Sequence, residues 1–469
     1  MDTVKNQTFG GRIWQNSASC AIMTSWLRKC AKAKNLGTRY GLPKWKPVLE
    51  SLLILLIAFM PIIQSWELIL PLLVLLWLSS GHSVCPVAKE LFGLWFAVIA
   101  SAVLSSSFRI GLSSLITFSF WLGITYLGSK VFSPEFVKKF LGFFCLSSLF
   151  WIIISFWQQI SGIPTPSGWL GSEVINWIKV RSYSVFGNPN IFALYLLIIL
   201  VISSDSIIFF TGCLKTRDHF LKNQGSSKHR LPQGANDAGR YDKSEQSLLW
   251  MNQLSHILVL SFASVALYYT YSRFAWFLGI IFLGLRFWPY FGKRRWFLAA
   301  IFLVFLCTIQ GFKIRMGPLL SLTDSSMRYR IHIWQGVLKA VSDYWLWGSG
   351  PGSFGKVYPW YQISNTISVH AHQLYLQIWL ENGIVSLMAY LWLFRKMLAS
   401  CWRIFNGANG RTVNCYQSTA TSPAASSSVM IIIIFLGYGL TESWTQNQLI
   451  SGYFWLFCGL WISSVMSYK

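Results

Sequence analysis

The sequence predicts an all-α, polytopic membrane protein. Hydrophobic residues make up 54% of the 469 residues, aromatic residues 17% and charged residues only 12%. Several apolar runs approach the length of about 20 residues that a helix needs to cross a bilayer. They lack the alternation of a transmembrane barrel strand, and a helix is the other structure that satisfies its own backbone within lipid. We therefore expect a bundle of membrane-spanning helices.

The apolar runs define about twelve candidate spans. In chain order they cover residues 48–64, 67–80, 89–106, 109–128, 139–157, 190–212, 254–272, 274–290, 296–312, 373–394, 428–441 and 447–466. The second and the eleventh are short for a bilayer.

The distribution of basic residues predicts the orientation of these spans. The N-terminal tail is rich in lysine and arginine, and the positive-inside rule keeps such a tail in the cytoplasm. An even number of crossings returns the C-terminus to the same side of a bacterial inner membrane. The formal net charge of +24 then reflects orientation and contact with anionic membrane lipids, and we expect no nucleic-acid partner.

Alternation of the spans divides the chain into segments. They are a basic cytoplasmic tail (1–47), spans one to six (48–212) with an outer loop at 158–189, a flexible cytoplasmic loop (213–249), spans seven to ten (250–394) with an outer loop at 313–372, a second flexible cytoplasmic loop (395–427), and spans eleven and twelve with the C-terminus (428–469). We expect function in the two long outer loops. No Walker loop and no HExxH pair occurs, and we expect neither a metal nor another cofactor.

Two arginines lie where apolar spans meet the outer face. Arg181 precedes a turn in which Asn188 can cap a helix that begins at Pro189, and a helix start also favours an anion. Arg273 stands in the tight turn between spans seven and eight, where it can bind an anion or anchor the chain at the interface. Both residues therefore have a structural and a functional interpretation.

A third arginine, Arg330, lies in a predicted loop helix. Ile331, Trp334, Leu338 and Val341 recur at helical spacing, which predicts an amphipathic surface helix over residues 327–343. The sequence WGSGPGSFG follows it and ends the helix. Its glycines can expose backbone N–H groups to an anion, or they can simply form a loop.

Two histidines, His370 and His372, close the second outer loop just before span ten. Beyond them Gln373, Gln377 and Glu381 recur every four residues and share one helical face, which predicts the wall of a wet cavity. An imidazole beside arginines is the combination needed to deprotonate a hydroxyl and bind a diphosphate. Glu381 lies nine residues beyond His372, about 13 Å deeper, and is not expected to orient it.

The order of motifs resembles one family. RSYSVFGNPN, YSRFAW, RYRIHIW, WGSGPGSF, YPWYQ and HAHQLYLQIWLENG together resemble the O-antigen ligase and polymerase superfamily of bacterial envelope glycosyltransferases, over about residues 50–465. The GNPN, RIHIW and GPGSF details are most similar to the cyanobacterial branch once proposed to be bicarbonate transporters.

The resemblance implies a reaction and its residues. A glycan would pass from undecaprenyl diphosphate to the hydroxyl of a lipid or glycan acceptor, outside the membrane and without a metal. By motif position, Arg181, Arg273 and Arg330 would hold the diphosphate and His372 would activate the acceptor. His370 does not occupy the motif position, so its loss is expected to matter much less.

Some residues depart from the family pattern. Gln373 stands where Asn is common, Phe274 replaces a small residue, and a second glycine after Gly383 is missing. These differences leave open whether the protein is a ligase or a polymerase. A transporter, for which Glu381 and Asn382 are the intramembrane polar residues, and a non-catalytic scaffold remain the alternatives.

Overall fold

The computed structural model describes residues 42–79, 87–165, 178–226, 243–297, 300–301, 308–320, 324–408 and 423–466. Within these ranges the regular elements are helical and no strand occurs. The predicted all-α class is therefore confirmed for this part of the chain.

The longer helices follow one another along the chain. They are α1 (Leu42–Ala58), α2 (Ile69–Ser79), α3 (Ala88–Leu104), α4 (Phe108–Val131), α5 (Pro134–Ile160), α6 (Pro189–Ser226), α7 (Lys243–Tyr269), α8 (Arg273–Phe287), α9 (Gln310–Leu320), α10 (Ser325–Tyr344), α11 (Leu374–Ala408), α12 (Pro423–Tyr438) and α13 (Gln448–Met466). Short α-helical turns lie at Met60–Ile63 and Phe354–Val357, and 3₁₀ turns at Trp66–Leu68, Trp288–Arg294, Tyr358–Trp360 and Trp444–Gln446.

Some of these helices have the length and hydropathy of membrane spans. Among the described residues they are Phe108–Val131, Pro134–Ile160, Pro189–Phe209, Met251–Tyr269 and Arg273–Phe297, with shorter apolar helices at Trp66–Ser79 and Ser426–Tyr438. They support a membrane protein. The predicted number of twelve spans is not confirmed. About half of the ninth, 296–312, lies outside the described residues, as do residues 1–41 of the basic tail.

Four helices extend into the two segments that were predicted to be flexible loops. α6 continues to Ser226 and α7 begins at Lys243, while α11 continues to Ala408 and α12 begins at Pro423. Extending a helix that already exists adds a hydrogen bond per residue without a new nucleation step, so a helix outlasts its apolar stretch. The remainder of both loops lies outside the described residues.

The centre of the bundle is formed by α6 and α13. The side chains of residues 190–205 and 449–464 are almost all buried, which fits helices that are apolar on every face. α13 packs along α4 and α12, and α6 packs along α7 and α12. Asn188 caps α6 as predicted, since its Oδ1 accepts from the backbone N–H of Asn190 at 2.8 Å.

The glycine-rich segment after α10 docks onto a break in α11. At Gly383 the φ angle is 74°, and an added Cβ would collide with the backbone of Leu346 and Trp347. The N–H groups of Ser349 and Gly350 donate to α11 carbonyls at 2.8 Å, and that of Phe354 donates to Oε1 of Glu381 at 3.2 Å. These N–H groups therefore hold the loop on α11.

α10 buries a face that only partly overlaps the one its sequence pattern predicts. Val341 of the predicted stripe is buried, but so are Ile333 and Val337 outside it, whereas Ile331 and Leu338 are exposed. The helix packs on the docked segment around Phe354 and on the inner side of the 358–371 loop, and that contact sets the buried face. The spacing located the helix but not its partner.

Candidate functional site

The site lies at one end of the bundle, where several helix connections meet. The backbone N–H of Ser182, before α6, donates to the carbonyl of Tyr269 at the end of α7 at 2.9 Å. The N–H of Leu374, at the start of α11, donates to the carbonyl of Gly439 after α12 at 2.7 Å. The first contact joins the segment before α6 to the end of α7, and the second joins the start of α11 to the segment after α12. Nδ2 of Asn190 in α6 donates to Glu442 and connects the two pairs.

His372 lies two residues before the start of α11, at the end of the loop. Its Nδ1 is 3.4 Å from Oε1 of Glu442, close enough for an ion pair but not aligned as a hydrogen bond. The ring of Tyr329 contacts the imidazole edge-on at a centroid distance of 5.9 Å, and the ring of His370 lies at 3.9 Å. The φ angle of His372 is +49°, a conformation that costs a non-glycine residue about 1–2 kcal/mol.

Glu442 is the carboxylate of the site, and it was not singled out from the sequence. It is buried, and its Oε2 accepts from Nδ2 of Asn190 at 3.2 Å. Burial raises its pKa, but His372, His370 and Arg330 outweigh burial and lower the pKa to about 2. The carboxylate therefore stays ionised beside the two imidazoles at neutral pH. The TES turn after span eleven was the available signal, because it puts an acid at a predicted outer turn.

Arg181 is buried beneath this carboxylate. Its Nε donates to the carbonyl of Thr270 at 2.8 Å and its Nη2 donates to Oδ1 of Asn190 at 3.0 Å. Burial, and then the charges of Arg315, Arg330 and Arg273, lower the pKa of Arg181 from its usual high value. Asn190 thus links Arg181 to Glu442, and the arginines lie within electrostatic range of one another.

Arg273 and Arg315 form the next part of the cluster. Nη2 of Arg273 pairs with Oδ2 of Asp324 at 2.6 Å, and its Nη1 donates to the carbonyl of Arg315 at 3.3 Å. Nε of Arg315 donates to the carbonyl of Tyr271 at 3.1 Å. Arg315 was missed by sequence reasoning because it lies in a stretch of mixed polarity that carries no periodic signal.

Arg330 differs from the other arginines of the site. It lies half-buried on α10, next in sequence to Tyr329, whose ring contacts His372. Its guanidinium makes no hydrogen bond or ion pair with any residue that the structure describes, although its charge acts on Glu442 and Arg181. Its five N–H donors are therefore available to a ligand.

The polar stripe below the histidines is held by backbone groups. Oε1 of Gln377 accepts from the N–H of Ala371 at 2.6 Å, and Oε1 of Gln373 accepts from the N–H of Leu376. The carboxylate of Glu381 accepts the N–H of Phe354 in the glycine-rich segment described above. Nε2 of Gln377 and Oδ1 of Asn382 are buried without a hydrogen-bond partner among the described residues. Such atoms are commonly satisfied by internal water, so a small wet cavity here stays a prediction.

His370, His372 and Glu442 could in principle hold a metal ion. One ligand atom from each lies within 4.8 Å of the others, and two imidazoles with a carboxylate form a donor set that zinc accepts. However, Nδ1 of His370 accepts the backbone N–H of His372 at 3.2 Å. A neutral imidazole that binds a cation through Nε2 carries its proton on Nδ1, and that proton would face the same N–H. This contact and the nearby arginines disfavour a cation.

The arrangement combines a histidine–carboxylate pair with an arginine whose donors are free of partners in the part of the chain that the structure describes, at one end of an apolar helical bundle. Such a site can accept a proton from a hydroxyl and stabilise an anion beside it. The class of protein that fits is a membrane enzyme acting on an anionic substrate.

Comparison with known protein families supports the same class of protein. Residues 257–391 match the family model described as O-antigen ligase, which confirms the resemblance to the O-antigen ligase superfamily and supports a role in polysaccharide biosynthesis. The matched segment contains Arg273, Arg330 and His372, whereas Arg181 and Glu442 lie outside it. No curated protein matches the chain. The resemblance to the cyanobacterial branch stays a prediction.

Proposed function

We propose that this protein is a glycosyltransferase of the O-antigen ligase type in a bacterial inner membrane. It transfers a glycan from undecaprenyl diphosphate to an acceptor hydroxyl on the extracytoplasmic face, without a metal ion. One observation carries the proposal: the His372–Glu442 pair lies within electrostatic range of Arg330, whose guanidinium has no hydrogen-bond partner among the described residues. This is the pairing of base and anion site that such a transfer needs.

His372 is the general base in this proposal. Its imidazole takes the proton of the acceptor hydroxyl as the oxygen forms a bond to the anomeric carbon, and the bond from that carbon to the diphosphate oxygen breaks. Glu442 stabilises the imidazolium that forms, as a carboxylate does in other histidine-dependent enzymes. The proton then leaves to solvent, and the products are the glycosylated acceptor and undecaprenyl diphosphate.

The arginines neutralise the leaving diphosphate. Arg330 is assigned the direct contact, because a planar guanidinium can bind phosphate oxygens through two parallel hydrogen bonds. Arg273 and Arg181 use part of their donors within the protein and add positive charge around the same position. Together they do the work that a divalent cation does in other diphosphate chemistry.

The undecaprenyl chain is assigned to an apolar cavity of about 380 Å³ between α6, α7 and α8. The rings of Tyr268, Trp276 and Phe312 stack along it, with centroid separations of 5.6 and 5.9 Å. Tyr271 connects it to the arginines, since its ring contacts Trp276 and its carbonyl accepts from Arg315. A lipid whose diphosphate lies at the arginines can place its chain there.

A polymerase would use the same chemistry with a second lipid-linked glycan as acceptor. A transporter is the alternative from another class, and one observation is relevant to it. Asp205 of α6 pairs with Arg286 of α8 inside the bundle, and Oδ2 of Asp205 accepts from Ser427 of α12 at 3.0 Å. Charged residues within spans often mark an ion path, although this pair also ties three helices together.

The experiment that tests the proposal is the substitution His372→Ala. A positioned base contributes roughly a hundredfold to ten-thousandfold in rate, so glycan transfer should be abolished and the lipid-linked donor should accumulate. The envelope glycan profile and the undecaprenyl diphosphate-linked pool are read together. The matched control is His332→Ala, which removes a half-buried histidine in the middle of α10. A normal glycan profile in His372→Ala would refute the base assignment, and a bicarbonate-uptake defect alone would favour the transporter.

The proposed orientation has its own test. Single cysteines in 158–165 and 355–368 should react with an impermeant maleimide in intact spheroplasts, whereas cysteines in the N-terminal tail and in 227–242 should react only after permeabilisation. External labelling of 227–242 would contradict the assignment, because His372 would then face the cytoplasm.

A further inference from the structure

The loop that carries His372 has an unusual way of satisfying its backbone. Each N–H group from residue 370 to residue 374 has its own acceptor, and four of the five acceptors are side chains. In order they are Ser368 Oγ, Gln377 Oε1, His370 Nδ1, Ser443 Oγ and the carbonyl of Gly439. The conformation of this loop therefore depends on individual side chains rather than on a helix or a strand.

One of these bonds reaches the backbone of the proposed base itself. Nδ1 of His370 accepts the N–H of His372 at 3.2 Å, and His372 is the residue with a φ angle of +49°. A left-handed conformation at a non-glycine residue persists only where its surroundings hold it. The bond from His370 fixes the N–H, while the carbonyl before it accepts from Nε1 of Trp334 at 3.1 Å.

The acceptor role requires His370 to remain neutral. Burial, and then His372 and Arg330, lower the pKa of His370 to about 4 against the opposing effect of Glu442. Because Nδ1 accepts, the ring proton lies on Nε2, which is 3.9 Å from Oε1 of Glu442. His370 thus remains a neutral acceptor at the pH at which His372 must accept a proton.

We propose that His370 is a positioning residue: its Nδ1 accepts the backbone N–H of His372 and thereby holds the imidazole of His372 against Glu442 and Arg330. The inference rests on the proposed function and reverses the expectation from motif position that His370 matters little. His370 does not contact the reacting atoms, and its contribution passes through the geometry of His372.

Asparagine offers a specific test, because its side-chain oxygen commonly accepts the backbone N–H two residues further on. His370→Asn keeps the acceptor and loses the ring. His370→Phe keeps a ring against His372 and loses the acceptor. The third variant, His370→Ala, loses both. If the hydrogen bond is the function, the asparagine variant should be the active one, and if ring packing is the function, the phenylalanine variant should be.

The measurement is transfer by the purified full-length protein in nanodiscs, with undecaprenyl diphosphate-linked glycan as donor. We expect kcat to fall roughly tenfold to a hundredfold in His370→Ala and His370→Phe, as expected for a displaced catalytic group, with the donor KM unchanged. His370→Asn should regain most of the lost rate. His332→Ala is the matched control, because it removes a histidine of the same outer loop that makes no hydrogen bond to the 370–374 backbone among the described residues.

Other outcomes separate this inference from the proposed function. Wild-type activity in His370→Ala, with His372→Ala inactive, would overturn the positioning role and leave the base assignment intact. Activity in His370→Phe but not in His370→Asn would also overturn it. If His372→Ala itself transfers glycan normally, the proposed function fails first. Unfolding temperatures of the three His370 variants check that a lost rate is not a lost fold.

Discussion

Arg181 and Arg330 are two arginines of one site with opposite environments. Arg181 is buried, and two of its nitrogens donate to Thr270 and Asn190. Arg330 is half-buried and makes no hydrogen bond or ion pair among the described residues. The comparison shows that the first guanidinium helps to hold the site together, and it supports the proposal that the second binds a ligand. Motif position alone treats them as equivalent.

The strongest test of this difference is Arg181→Ala. It leaves the carbonyl of Thr270 and the amide of Asn190 without their charged partner, and hydrogen bonds to charged groups contribute about 1.5–3 kcal/mol each. We expect a large fall in unfolding temperature together with loss of transfer. Differential scanning fluorimetry in detergent measures the first effect. Inactivity at wild-type stability would show that Arg181 also acts mainly on the substrate.

The corresponding test of the second arginine is Arg330→Lys. Lysine keeps the charge but loses the two parallel donors, so affinity for the donor should fall about tenfold while stability stays near that of the wild type. Isothermal titration with inorganic diphosphate and with undecaprenyl diphosphate measures the affinity. Lys339→Arg on the same helix is the control for the exchange itself. Unchanged affinity in Arg330→Lys would show that Arg330 anchors the loop and does not bind the diphosphate.

A smaller effect is expected at the cavity assigned to the lipid chain. Ile280 lines it, whereas its neighbour Ile281 does not, and both are partly exposed on α8. Ile280→Trp should weaken binding of undecaprenyl diphosphate several-fold and leave binding of inorganic diphosphate unchanged, because only the chain loses its space. Ile281→Trp should change neither. Equal binding of undecaprenyl diphosphate by both variants would show that its chain does not bind in this cavity.

The smallest effect concerns the pH dependence of stability. The pKa of Glu442 is about 2 in the folded protein, below its ordinary value of 4.5, so the ionised carboxylate stabilises the fold above about pH 4.5 and that contribution is lost as the pH falls towards 2. Arg330 is one of the charges responsible. Arg330→Gln should therefore be less stable than the wild type at pH 7, by at most about 1 kcal/mol, and the difference should shrink below pH 4. A difference in stability that does not change with pH would mean that Arg330 affects stability without Glu442.

Much of the fold could be predicted from the sequence because its signals are local. Apolar length predicted helices, the Asn188–Pro189 pair predicted the start of α6, and periodicity located α10. The partners within the site could not be found in this way. Asn190 and Glu442 are 252 residues apart and Arg273 and Asp324 are 51 apart, and only the packing of the helices brings them together.

In the loop that carries His370 and His372, too, the sequence did not predict the contacts, although the partners are close in sequence. The sequence singled out His372 and Gln377, and the assignment of Gln377 to a cavity wall stays a prediction. The sequence did not predict that the carbonyl oxygen of Gln377 accepts from the N–H of Ala371. His370 was set aside because it lies outside the motif position. Both residues support the backbone of a loop without regular structure, and no periodic pattern records such a contact.

The buried pair Asp205–Arg286 bears on how the protein is made. α6 is synthesised before α8, so Asp205 enters the bilayer at a time when its partner does not yet exist. A charge at the centre of a span costs about 2.5–3.5 kcal/mol during insertion. Asp205 lies near the end of the span Pro189–Phe209, so it incurs part of that cost until the later helix docks. The pairing therefore favours one order and one register of assembly, with α8 recruited to α6 while the remainder of the chain is still being translated. Asp205→Asn should reduce the need for this docking, and Arg286→Leu should leave α6 with an uncompensated charge and a protein that is degraded during biogenesis.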